Sequence, residues 1–179
     1  KFNGIFALAI WDRSKKELFL ARDHLGVKPL YYYFDDNKFI FSSEIKSILS
    51  HPVEKQLDKE ALNIYFRLLY IPEPKTPWKN IFKLPPAHFA VLKDGRLQID
   101  RYWKISHFDC LVDKKEIRGL INSHFKKAVS RQLISDRPLG LYLSGGIDST
   151  AILGRVSELL SKPAQTFTVG FEGEPEHRA

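Results

Sequence analysis

The hydrophobic period of this chain changes once, and the change sets what it can fold into. Through the first hundred residues the apolar side chains come in short runs, at 5–11, 18–21, 30–34 and 39–41. Turn chemistry separates them at Asp12-Arg13-Ser14, from Asp23 to Gly26, and at Asp35-Asp36-Asn37. Runs of that length and spacing predict antiparallel hairpins. Helical patterns follow at 44–49 and 59–69, then a proline-rich connection through Pro72, Pro74 and Pro77. A last hairpin, 89–93 with 96–99, turns on Asp94-Gly95, the pair best suited to a type I′ turn. Regularity lapses over 106–113. Beyond it Ile117, Leu120, Ile121, Phe125, Ala128, Val129 and Leu133 recur at three- and four-residue steps, which predicts one amphipathic helix. A strand at 139–143, a helix at about 149–160 and a strand at 166–171 complete the order expected of a parallel α/β sheet with right-handed crossovers. Two domains are therefore expected, over residues 1–105 and 113–179.

Composition excludes several classes. With 179 residues, 44% of them hydrophobic, the chain can bury a core. Its single cysteine, Cys110, rules out a disulfide framework or a Cys-rich zinc site, and the six histidines lack ligand spacing. Cys110 reads as structural or incidental. No 18-residue apolar span or signal-peptide pattern occurs, so no membrane role and a reducing, cytoplasmic setting are expected. The net charge of +7 suggests nucleic acid at first. The cations are scattered, however: Lys15-Lys16, Lys114-Lys115 and Lys126-Lys127 alternate with acids, as a solvated surface does. No nucleic-acid partner is expected. The sequence holds no methionine, opens almost at once on a strand pattern and stops eight residues after another, so it reads as a piece of a longer chain.

The stretch "LYLSGGIDST", residues 141 to 150, carries the chemistry. After Leu143 the chain must swing from strand into helix. Gly145 and Gly146 can take positive φ and leave their N–H groups unshielded by a Cβ. Those amides, with the free N–H groups of the helix start, make a cup of positive partial charge suited to phosphate. Ser144, Ser149 and Thr150 add hydroxyls. Asp148 would repel a polyphosphate unless a divalent cation sat between them, which makes Mg²⁺ the expected metal. A helix cap alone needs one such residue. The five fixed letters of S-G-G-x-D-S would arise by accident in roughly one chain of this length in several thousand. No Walker motif and no G-x-G-x-x-G after a strand occurs.

"SDRPLGLYLSGGIDST" resembles the PP-loop of the ATP pyrophosphatases, which split ATP into AMP and pyrophosphate. "GIFALAIWD", "LFLARDHLGVKPLYY" and "FSSEIKSIL" resemble the class II glutamine amidotransferase domain, and "NIFKLPPAHFAVLKDGRLQIDRYW" is similar to its close. Both, in this order, resemble the glutamine-hydrolysing asparagine synthetase family. The resemblance implies an α+β sandwich of the Ntn-hydrolase type, then the start of a parallel-sheet PP-loop domain.

For function it implies ATP-dependent amidation of aspartate through a β-aspartyl-AMP, with ammonia from glutamine. Substrates would be glutamine, aspartate and ATP, and a homodimer stays open. It further implies that Ser144, Gly145, Gly146, Asp148 and Ser149 hold pyrophosphate and its Mg²⁺. Leu143 and Val169 match positions contacting adenine and ribose, and Asn3 stands at a glutamine-binding position where the family commonly has aspartate. Arg22 and Asp23 match the family's A-R-D, with a role in orienting the turn shaped by Gly26 and Pro29. The family's nucleophile is an N-terminal cysteine whose own amine is the base. None of these 179 residues matches it, so no catalytic residue is expected here, and this chain alone is expected to make no asparagine. Another adenylating amidotransferase, like β-lactam synthetase or enzymes that modify surface polysaccharides, and a non-catalytic nucleotide-binding homologue are the alternatives. A tRNA-modifying PP-loop enzyme would leave the amidotransferase half unexplained.

Overall fold

The computed structural model of the chain describes residues 2–35, 37–106 and 113–170, which excludes Cys110 and Phe171. Two compact units divide it, Lys1–His107 and Phe108–Ala179. In the first, β1 (Ala7–Asp12), β2 (Glu17–Arg22), β3 (Tyr31–Phe34) and β4 (Phe39–Ser42) precede α1 (Ile45–Leu49) and α2 (Lys59–Leu68). Then come β5 (Ile81–Lys83), β6 (His88–Lys93) and β7 (Arg96–Arg101). The strands form two antiparallel sheets, one in the order β1-β2-β6-β7 and the other β4-β3-β5. The fold is mixed α/β.

Alternation explains the core. In register, Leu18 faces Leu92 and Leu20 faces Ala90, so these side chains share one face of the larger sheet. That face packs on Leu30, Tyr32, Phe34, Phe39, Phe82 and Leu84 of the other sheet and its flanks. The opposite face of the smaller sheet carries Tyr31, Tyr33, Ile40 and Ile81, and these are covered by Ile45, Ile48 and Leu49 of α1 with Val53 and Trp78. The run Tyr31-Tyr32-Tyr33-Phe34 is apolar throughout because β3 is packed on both sides. The expected last hairpin forms. Asp94 at φ +48° and Gly95 at +72° supply the two left-handed residues of a type I′ turn. The three-residue β5 was not expected.

The second unit comprises α3 (Lys114–Gln132), β8 (Gly140–Tyr142), α4 (Ile147–Leu159) and β9 (Gln165–Phe167). β8 and β9 pair in parallel, Tyr142 opposite Phe167. Of the strand expected over 166–171, the described residues pair as β9 only as far as Phe167, and the Thr168 side chain takes the next position of the ladder. α3 packs on α4, with Arg155 donating to Asn122 Oδ1 at 2.9 Å. Val129 and Val156 are buried, whereas Ile117, Leu120 and Ile121 of the predicted apolar stripe are exposed. No helix among the described residues is long and apolar enough to cross a membrane.

Candidate functional site

At the carboxyl end of β8 the chain reverses into α4 in four residues. The Leu143 N–H donates to the Phe167 carbonyl at 2.9 Å, and the Leu143 carbonyl accepts from the Thr168 hydroxyl at 2.9 Å. Gly145 then takes φ +76°, and a Cβ built on it would find no atom within 4 Å. The turn needs glycine for its backbone, not for lack of room. Gly146 corrects the sequence-based expectation. Its φ is −78° and ψ 159°, extended values open to most residues, because α4 starts two residues earlier than expected and makes Gly146 its N-cap. A Cβ there would only touch Ser144 Oγ, at 3.4 Å.

A glycine N-cap offers no side chain to the first-turn amides of α4. The hydroxyls bond to the turn instead. Ser149 Oγ and Thr150 Oγ1 donate to the Gly146 carbonyl at 3.0 and 2.9 Å. Ser144 Oγ lies 3.2 Å from Ser149 Oγ and accepts the Gly146 N–H at 3.4 Å. Ser149 has one proton, committed to Gly146, so Ser144 donates to Ser149. Asp148 is exposed in the first turn of α4, where the helix dipole favours an anion, and bonds to no other described side chain. The structure thus gathers Ser144, Gly145, Gly146, Asp148 and Ser149 in one strand–turn–helix. Leu143 stands before the turn and Val169 just past the end of β9. Thr168, which joins them, was missed by sequence reasoning, since a threonine in a strand pattern signals nothing by itself.

No group of three or more His, Cys, Asp or Glu placed to hold a metal occurs among the described residues. Asp148 could hold Mg²⁺ only together with anionic oxygens of a bound substrate, as the donor chemistry of a nucleotide site allows.

In the first unit, Asn3 is exposed and bonds to no other described side chain. Nearby, a cavity of about 290 Å³ opens on the outer face of the larger sheet, walled by Phe6, Leu8, Phe19, His24, Phe89 and Trp103 among others. Among the described residues its walls carry no carboxylate or guanidinium to counter the charges of an amino-acid zwitterion. Arg22 and Asp23 do orient a turn. The Asp23 carboxylate accepts the N–H groups of Leu25, Val27 and Lys28 at 3.0 to 3.1 Å. Buried Arg22 donates to the carbonyls of Gly26, Lys28 and Leu84 and pairs with Glu73 at 2.9 Å. Gly26 sits at φ +67°, and a Cβ on it would lie 2.8 Å from Pro86 Cγ.

A chain that joins two antiparallel sheets to a strand–glycine turn–helix unit matches two family models, one over each unit. Residues 1–103 match the glutamine amidotransferase domain and residues 120–179 match asparagine synthase. The chain is a member of the glutamine amidotransferase domain family, and the segment that follows is similar to asparagine synthase. It is 40% identical to a Methanocaldococcus jannaschii protein provisionally named asparagine synthetase (glutamine-hydrolyzing) 2, over 97% of this chain and 35% of that protein. Asparagine synthetase (glutamine-hydrolyzing) 3 of Bacillus subtilis is 39% identical, over 95% of this chain and 29% of its own. Amidase chry2 of Gibberella zeae is 31% identical, over 89% and 24%. The chain spans about a third of the length of the first two relatives.

Proposed function

We propose that this chain serves the ATP-dependent amidation of aspartate to asparagine, with ammonia released from glutamine. The observation that supports it most is the turn at Gly145. Left-handed backbone and uncapped helix amides stand side by side inside the segment that matches asparagine synthase. In this reading the amides of the turn and of the start of α4 bind the pyrophosphate portion of ATP. Ser144, Ser149 and Thr150 give up their bonds to the turn and donate to phosphate oxygens. Asp148 holds Mg²⁺, which offsets phosphate charge when bound. Leu143 and Val169 flank adenine and ribose, at the carboxyl ends of adjacent strands where open α/β sheets bind ligands.

The chemistry balances in two steps. An aspartate β-carboxylate oxygen bonds to the α-phosphorus of ATP, and the bond to the departing pyrophosphate breaks. Ammonia then bonds to the activated acyl carbon, the bond from that carbon to the phosphate oxygen breaks, AMP leaves with its electron pair, and ammonia's surplus proton is lost to solvent or a base. The substrates are glutamine, aspartate and ATP, and the setting is cytoplasmic.

Aspartate-dependent ATP–pyrophosphate exchange and glutamate release, measured together on the full-length protein, test this. Asp148→Asn is expected to lower exchange roughly a hundredfold and spare glutamate release, as the loss of an electrostatic contact at a reacting phosphate does. A parallel fall in both would make Asp148 a structural residue. Exchange driven by another carboxylic acid and not by aspartate would favour an amidotransferase of different substrate, in line with the resemblance to the fungal amidase.

A further inference from the structure

The β8–β9 ladder ends on a side-chain hydrogen bond. In a parallel pair, a residue bonds through its N–H to the residue before its partner and through its carbonyl to the residue after it. Leu143 makes the first of these, to the Phe167 carbonyl at 2.9 Å. The second would take the N–H of Val169. The described bond to that carbonyl comes instead from the Thr168 side chain, Oγ1 to O at 2.9 Å. A hydroxyl therefore closes the ladder, and the backbone of β9 is released one residue earlier than continued pairing would allow. Val169, next in the chain, is 72% exposed.

We infer that Thr168 is a positioning residue of the nucleotide site: its hydroxyl fixes the Leu143 carbonyl, the last anchor before the Ser144–Thr150 turn, while letting Val169 leave the sheet. The inference rests on the nucleotide reading given above. Two consequences follow from the geometry. The turn inherits its starting direction from Leu143, whose N–H and carbonyl are both held by the end of β9. The gap between the strand ends, where ligands of open parallel sheets lie, stays open because β9 diverges at Val169. Without the hydroxyl, Leu143 either loses its second anchor or takes the Val169 N–H and draws the strands together. Each outcome alters the space offered to the nucleotide without touching the phosphate donors.

The test compares Thr168→Val, which keeps shape and strand preference, with Thr168→Ser, which keeps the hydroxyl, in the full-length protein. Losing one neutral hydrogen bond that acts through binding is expected to raise the KM for ATP about fivefold in Thr168→Val and to leave kcat within about twofold. Thr168→Ser should stay near the wild-type KM, and glutamate release should be unchanged in both. A wild-type KM in Thr168→Val overturns the inference. So does equal impairment of the two variants, which would remove the hydroxyl as the agent, or a matching fall in glutamate release, which would make Thr168 a determinant of folding. Aspartate-dependent exchange by the wild type separates the levels. If the wild type exchanges and Thr168→Val matches it, this inference falls and the nucleotide reading stands; if the wild type shows no use of ATP, both fall.

Discussion

At Gly145 a β-branched side chain would have to adopt φ +76°, a region costing L-residues roughly 1 to 2 kcal/mol. Gly145→Val is therefore expected to lower ATP–pyrophosphate exchange by about tenfold or more, whereas Gly146→Ala, at φ −78°, should stay close to wild type. Equal loss in both variants would mean that bulk near the amides matters more than backbone shape. The glycine pair is visible in the sequence, but which member carries the left-handed turn depends on where α4 begins, and helix starts are fixed by context that periodicity does not report. Asp23 is the contrasting case, since A-R-D beside Gly26 already marks a turn. Burial alone would raise its carboxyl, yet the N–H groups of Lys28, Val27 and Leu25 outweigh that and hold it below the usual value. A carboxyl lowered on folding stabilises the fold above its unfolded pKa of about 4 and stops doing so as pH falls through the lower folded value. Asp23→Asn should then lower the thermal midpoint of the first unit at pH 7, with the gap to wild type closing below about pH 4. A gap that stays constant as pH falls below the unfolded pKa would assign the effect to packing.

Among the elements, β8 and β9 approach each other closely at Gly140 and Phe167. A Cβ on Gly140 would overlap the Phe167 ring, so alanine there must push the ring aside. Phe167 is 57% exposed and has room to swing, which makes displacement of the end of β9 the expected result and not unfolding. Gly140→Ala should raise the KM for ATP with helical circular dichroism intact, and adding Phe167→Ala should return the KM toward wild type. Failure of that rescue would show that Gly140 acts through its own backbone. The long strands and the Asp94-Gly95 hairpin follow from alternation and turn chemistry that the sequence displays openly. β5 does not. Three residues before Leu84-Pro85-Pro86 show no period, and Ile81 finds its place only because β3 offers an unpaired edge. The stripe from Ile117 to Leu133 correctly predicts α3, but periodicity says nothing of what covers each apolar face, and Ile117, Leu120 and Ile121 lie open.

Across the whole molecule, charge and apolar exposure oppose each other. The larger sheet is apolar on both faces, because Leu8, Ile10, Phe19, Ala21 and Phe89 point away from the core formed by Leu18, Leu20 and Ala90. β1 is also an edge strand, and Phe2 and Ile10 on that side are 73% and 56% exposed. Such a surface favours association of like chains, which the net charge of +7 resists by repulsion. Salt weakens only the second effect, since the screening length falls from about 10 Å at 0.1 M to about 3 Å at 1 M. The 179-residue chain should therefore self-associate more strongly at 1 M than at 0.1 M salt, as followed by light scattering. Ile10→Lys adds charge where apolar area is exposed, so it should suppress that growth. The thermal midpoint should hardly move, because a half-exposed side chain contributes little burial. Scattering that falls with salt would show that pairing between opposite charges, and not the open sheet face, drives association. An unchanged response in Ile10→Lys would move the contact to another surface, such as the exposed Tyr65, Phe66, Leu69 and Tyr70 at the end of α2.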